Sequence, residues 1–179
     1  MFKLASIIDD NFDVDSIFED LKVFTDAIQR SGTVHFISSF FAFKGMGEQA
    51  TKEVYDWLKT HPKFIMDSSL ASWLVDDIQT NEFEQKRSHV ASAIECYLKD
   101  YGVSRPEAFK EIQEMVASAW KDMNKFCLKP TAFPLSLLMR VINFARVMED
   151  LYLYGDGYSD SSRETKEKIN AVLIDPIPM

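Results

Sequence analysis

Residues 104–126 read SRPEAFKEIQEMVASAWKDMNKF. Ser104 and Glu107 stand three apart with Pro106 between them, which is capping-box spacing with a proline in the first turn. Phe109, Ile112, Met115, Val116, Ala119, Trp120 and Met123 then recur at steps of three and four, so one face of the helix is apolar. Working outward, Pro134 opens a second long helix that turns Leu138, Val141, Ile142, Ala145, Met148, Leu151 and Tyr152 inward and ends near Gly155. The periodicity predicts further helices over about 3–10, 16–30, 33–44, 48–59, 64–84, 88–101 and 163–174. Turns are expected at Gly45-Met46-Gly47, His61-Pro62, Tyr101-Gly102, Lys129-Pro130 and Gly155–Ser162. No alternating apolar run is bounded by turn pairs, and glycines number 6 in 179 residues, which argues against a sheet. The expected fold class is all-α, a helical bundle.

Composition narrows the function. Hydrophobic residues make up 46% and charged residues 27%, so neither disorder nor a fibrous repeat is in view. A domain of this length buries roughly 70% of its unfolded surface, enough for a proper core without staples. The 20 Lys+Arg against 28 Asp+Glu give a net charge of −8, a poor match for a phosphate backbone, and no basic patch is segregated. No nucleic-acid partner is expected. The cysteines are Cys96 and Cys127, too few for a disulfide framework or a zinc site, so the chain reads as reduced and cytoplasmic. The opening run from Met1 to Ile8 is cut short by Asp9 and Asp10, unlike a signal peptide. No stretch approaches the roughly 20 apolar residues of a membrane span. The buried-looking start, Leu4-Ala5 and Ile7-Ile8, suggests a chain that begins inside what was a longer domain.

Two acidic constellations carry spacing suited to chemistry. In Asp9-Asp10-Asn11-Phe12-Asp13, the four-residue step returns Asp9 and Asp13 to nearly the same helix face, with Asp10 alongside. Carboxylates so placed can share a hard divalent cation, and a solvated acidic face produces the same run. In Asp76-Asp77-Ile78-Gln79-Thr80-Asn81-Glu82-Phe83-Glu84, residues Asp76, Thr80 and Glu84 repeat at steps of four and form a ridge about 12 Å long. Carboxylate, hydroxyl and carboxylate are an all-oxygen set that suits magnesium better than zinc or copper. An exposed polar face is the plainer alternative, weakened by the apolar residues Leu70, Ala71, Trp73, Leu74 and Val75 that precede it. His35, His61 and His89 lack partners at ligand spacing and read as core or surface histidines. Gly45-Met46-Gly47 is a turn, not a phosphate loop.

Together the two motifs resemble those of the plant class I terpene synthases, whose Asp-rich motif and Asn/Asp–Ser/Thr–Glu motif face each other across a helical barrel. Ile7-Ile8-Asp9-Asp10-Asn11-Phe12-Asp13-Val14 is similar to the family's first metal helix, and Glu19-Asp20-Leu21 through Arg30 to the segment beyond that helix. Leu74–Thr80 through Glu84-Gln85-Lys86-Arg87 is similar to the second motif. Ala93–Tyr97, Ala119–Asn124 and Asp156-Gly157-Tyr158 are similar to later landmarks, so the likeness covers nearly the whole chain and is closest in style to the cytosolic sesquiterpene cyclases. The resemblance implies a partial class I helical barrel, with 1–179 a single shortened metal-binding domain. It implies Asp9, Asp10, Asp13, Asp76, Thr80 and Glu84 as ligands for up to three Mg²⁺ ions, or Mn²⁺, and no catalytic group beyond them. The substrate it implies is farnesyl diphosphate or a related prenyl diphosphate. Lys86 and Arg87 would meet the diphosphate, with solvated charge as an equal reading. Phe36, Phe40, Tyr152 and Tyr158 would line an aromatic pocket, although each also reads as a plain core aromatic. Asp156 would sit on a water-excluding lid.

Three departures from that pattern are expected to matter. The family's N-terminal helical domain, and the arginine pair ahead of its first metal helix, lie before the start of this chain. Arg30 runs directly into Ser31-Gly32-Thr33-Val34 where the family has several helices, an internal junction near 30–31. The position three before Asp76, usually an arginine, is Trp73. Two functions are therefore expected to compete: a magnesium-dependent sesquiterpene cyclase, and a catalytically inactive truncated or exon-skipped homologue acting at most as a metal-binding or interaction module. A monomer or weak homodimer is expected, and apolar faces left uncovered by missing helices would favour self-association.

Overall fold

The computed structural model describes residue 43 and residues 46–87, 92–128, 130–157 and 164–175, the side chains of 82–87 excepted. Among the described residues the chain forms a short 3₁₀ turn, Gly47–Gln49, and six α-helices. These are α1 (Lys52–Leu58), α2 (Lys63–Arg87), α3 (Ala93–Tyr101), α4 (Arg105–Phe126), α5 (Leu135–Tyr152) and α6 (Glu164–Leu173). No strand occurs among them. The expected helices over 3–10, 16–30 and 33–44 fall outside the described residues, Phe43 apart.

The capping box forms as its spacing requires. The Ser104 backbone N–H donates to Glu107 Oε2 at 2.9 Å and the Ser104 hydroxyl to the same oxygen at 2.6 Å. On α4, Ala108, Ile112, Ala119 and Met123 are buried while Phe109, Met115, Val116 and Trp120 pack at the margin. Two expected helices start later than their apolar pattern suggests. The region 48–59 divides into the 3₁₀ turn and α1, because Gly47 takes φ +57° and Ala50 leaves helical geometry, with Thr51 as the N-cap. Likewise α3 starts at Ala93 behind an extended Ser92. Between α1 and α2 the backbone turns left-handed at His61 (φ +50°) before Pro62, a way of stopping one helix and starting the next.

Helix α2 is the axis of the bundle and packs against α3, α4 and α5. It runs antiparallel to α4: Lys63 at its start pairs with Asp122 near the end of α4, and Asn81 near its end bonds Arg105 at the start of α4. Two apolar clusters divide its length. Phe64, Ile65 and Ala71 meet Leu58, Met123, Leu138 and Ile142 in the first cluster, beside stacked Trp57, Phe64 and Phe126. Leu74 meets Ile94, Tyr97, Ala108 and Ile112 in the second.

A helix enclosed on several sides must satisfy its polar groups internally. Ser69 and Ser72 donate to carbonyls one turn back, at 3.1 and 2.8 Å. Buried Asp67 is held by both its oxygens to Lys63, at 2.7 and 2.8 Å. Burial is the largest influence on Asp67 and raises its pKa against the opposing pull of Lys63.

Candidate metal and diphosphate site

The second acidic motif occupies the last three turns of α2. Asp76 is half-buried and Thr80 is 7% exposed, one turn further on. The Thr80 hydroxyl donates to the Asp76 carbonyl oxygen at 3.1 Å. A hydroxyl has one proton to donate and two lone pairs, so this bond leaves it able to accept a cation. The donors described therefore fit a hard divalent ion in kind. They do not complete a site alone: among the described residues no group of three or more His, Cys, Asp and Glu side chains is gathered for a metal.

The neighbouring carboxylate has a different task. Asp77 is 8% exposed and accepts the backbone N–H of Ala93, at the positive end of α3. A step of about 100° per residue separates it from the Asp76–Thr80–Glu84 ridge. Asn81 lies on that same flank. Its amide donates to Ser92 Oγ and to Glu95 Oε2, each at 2.8 Å, and its carbonyl accepts from Arg105 at 2.7 Å. The Ser92 hydroxyl donates to Glu95 Oε2, and Arg105 reaches Glu95 Oε1 at 2.8 Å. Burial, the largest influence on Glu95, would raise its pKa, but the bonds from Ser92, Asn81 and Arg105 together hold it below its ordinary value. Sequence reading passed over this network although its signal was present: Ser92 and Glu95 have capping-box spacing, and Asp77 and Asn81 are one helical turn apart.

The remaining predicted positions are more scattered. Helix α2 carries Glu84, Lys86 and Arg87 on its final turns, their side chains outside the described set. Asp9, Asp10, Asp13, Phe36, Phe40 and Tyr158 also lie outside it. Tyr152 is 5% exposed at the end of α5. Trp73 is half-buried and packs against the second apolar cluster, so this position brings no charge to the site. Asp156 follows α5 in a loop and borders a cleft of about 260 Å³ with Asp150, Tyr154, Glu164 and Lys168. The Asp150 carboxylate pairs with Lys168 at 2.7 Å across that cleft. Gly157 closes the loop tightly, donating to the Leu151 carbonyl at 3.0 Å.

An all-α bundle with an acid–hydroxyl ridge on its central helix matches a known domain. Residues 31–122 match the metal-binding domain model of the terpene synthase family, and the chain belongs to that family. It is 48% identical over 141 residues to a beta-cubebene synthase of Magnolia grandiflora, covering 78% of this chain and 26% of that protein. It is 46% identical over 138 residues to a (−)-germacrene D synthase of Vitis vinifera, covering 77% and 25%. The chain thus spans about a quarter of the length of these relatives. Grey poplar isoprene synthase, solved with three Mg²⁺ ions and dimethylallyl-S-thiolodiphosphate, superposes with a TM-score of 0.69 at 19% identity, over 99% of this chain and 49% of that one. Limonene synthase superposes with a TM-score of 0.63 at 21% identity, over 83% and 34%. These two likenesses establish a partial class I terpene synthase fold. No described helix is long and apolar enough to cross a membrane.

Proposed function

We propose that this chain is a single shortened terpene synthase metal-binding domain, joined near 30–31, that ionises farnesyl diphosphate or a related prenyl diphosphate with the help of Mg²⁺. Thr80 carries the reading: a buried hydroxyl with lone pairs to give, one turn beyond the half-buried Asp76 carboxylate, in a chain of this family. Asp76, Thr80 and Glu84 would hold the metal from one side and Asp9, Asp10 and Asp13 from the other. Bound there, up to three Mg²⁺ ions, or Mn²⁺, supply Lewis-acid charge to the diphosphate leaving group. Lys86 and Arg87 would receive negative charge as the carbon–oxygen bond breaks and its electron pair leaves with the diphosphate. Phe36, Phe40, Tyr152 and Tyr158 would present ring faces to the allylic cation. Asp156 and its loop would keep water out. A cytoplasmic monomer or weak homodimer goes with this reading.

Turnover by the chain as it stands should be very slow. Transition-state stabilisation needs positive charge facing the departing diphosphate, and Trp73 provides none. Losing one such donor typically costs about 10²–10³ in rate. The same tryptophan favours the second reading, a catalytically silent homologue that binds metal or a partner.

Incubation with Mg²⁺ and farnesyl or geranyl diphosphate, with volatiles read by mass spectrometry, tests the proposal. Trace acyclic or hydroxylated products are expected, together with a rise in melting temperature on adding Mg²⁺ that Asp13→Ala and Glu84→Ala each reduce. No product and no response to Mg²⁺ would leave the silent homologue. Rapid formation of one cyclic hydrocarbon would overturn the argument from missing charge.

A further inference from the structure

Three helices contribute to the polar cluster beside the ridge: Asp77 and Asn81 from α2, Ser92 and Glu95 from the start of α3, and Arg105 from the first turn of α4. The placement of Arg105 is costly for α4, because a cation at a helix N-terminus opposes the helix dipole. Glu95 offsets that charge through its ion pair with Arg105. Asn81 is the centre of the arrangement. It is 1% exposed, and both its amide hydrogens and its carbonyl oxygen are engaged. Three bonds in different directions fix more than the distance between helices. They fix the rotation of α2 about its own axis, and a fixed rotation sets where the adjacent ridge points.

We infer that Asn81 is a positioning residue: anchored by Ser92, Glu95 and Arg105, it locks the roll of the last turns of α2 so that Asp76, Thr80 and Glu84 present their oxygens together to a divalent cation. The inference rests on the metal reading of that ridge. It explains why the flank beside the ridge is polar and fully bonded rather than apolar like the rest of the second cluster. An apolar seam would bury as much surface, yet permit a helix to rotate by small amounts at little cost, because dispersion contacts are not directional. Outer partners of this kind typically affect metal affinity by about 10–100-fold.

The test is Mn²⁺ uptake by the full chain, followed by electron paramagnetic resonance, with melting temperatures measured in parallel. Asn81→Leu keeps the number and branching of side-chain heavy atoms and removes the three bonds, and should weaken Mn²⁺ binding by about 10–100-fold. Arg105→Leu, which removes only the half-exposed outer partner, should weaken it less and covers the case in which Asn81→Leu does not fold. The exchange Asn81→Asp with Glu95→Gln swaps amide and carboxylate, so that each pairing among positions 81, 92 and 95 can re-form with donor and acceptor exchanged while Arg105 keeps both its acceptors, and should restore binding. Lys63→Met cuts the clamp at the other end of α2 and should lower the melting temperature while leaving Mn²⁺ affinity unchanged. Wild-type affinity in Asn81→Leu or, if that variant is unfolded, in Arg105→Leu would overturn the inference and leave the metal reading intact. So would equal losses in Lys63→Met. Absence of Mn²⁺ uptake by the wild-type chain would overturn the metal reading, and this inference with it.

Discussion

Gly157→Ala should disconnect the loop after α5 from the helix it caps. A Cβ built on Gly157 would stand 2.4 Å from the Leu151 carbonyl oxygen and 2.6 Å from Thr165 Oγ1. The threonine side chain can rotate away. The carbonyl cannot, since it belongs to the last turn of α5 and already accepts the Gly157 N–H at 3.0 Å. Ordinary carbon–oxygen contact needs most of an ångström more, so the loop must either bear the strain in place or shift outward and surrender that bond. Overpacking of this kind costs about 1–3 kcal/mol, and the bond contributes about 1 kcal/mol. If the loop stays in place under strain, a domain of this size should lose about 2–4 °C in Tm per kcal/mol. If it lifts away, the loss is limited to that of the bond, about 2–4 °C, and amides of α6 should exchange faster than in the wild type. Differential scanning fluorimetry and hydrogen exchange read by mass spectrometry distinguish the two. Gly102→Ala is the control: φ is +64° there but nothing lies within 4 Å of the added carbon, so only left-handed strain of about 1–2 kcal/mol applies. A Gly157→Ala protein with wild-type Tm and wild-type protection of α6 would refute the steric argument.

Acid should weaken the junction of α2, α3 and α4. Glu95 has a folded pKa below its ordinary 4.5, so its contribution is complete above that value and is lost as pH falls through the depressed one. Glu95→Gln should therefore flatten the fall of stability below about pH 4.5, measured by urea unfolding across pH. Burial pushes the Cys96 thiol up to about 11. Cys127 is less enclosed and also raised, so alkylation at pH 8 should label Cys127 well before Cys96, as peptide mass mapping would show. Ile112→Ala opens a cavity in the second cluster beside Leu74 and should cost about 2–5 kcal/mol in urea unfolding, with an unchanged denaturant slope.

Periodicity located the long helices well because packing enforces it: the stripe from Phe109 to Met123 and that from Leu138 to Tyr152 both face the core. It misjudged the starts at 48 and 88, where backbone conformation at Ala50 and Ser92 decides and an apolar pattern carries no information about it. The two aspartates of the second motif show the same limit. Spacing put Asp76 on the ridge with Thr80, yet could not say that Asp77 would be spent on capping α3, because that partner lies 16 residues away. The arginine expected before the motif is replaced by Trp73, and the sequence made that substitution visible at once. Its packing against the second cluster required the positions of α3 and α4.

The short helix α3 borrows both its ends. Asp77 of α2 satisfies its first amide, and Gly102, left-handed at φ +64°, returns an N–H to Leu98 at 3.0 Å. Nine residues are too few to hold a helix in water, where roughly 12–15 are needed. During synthesis, α3 therefore stays unformed until α4 arrives to close the cluster over it. Phe126 comes 25 residues after Tyr101, an interval of roughly 1–5 s on a translating ribosome. Throughout that interval the apolar side of α2 around Leu74 lacks the cover that Ala108 and Ile112 of α4 bring.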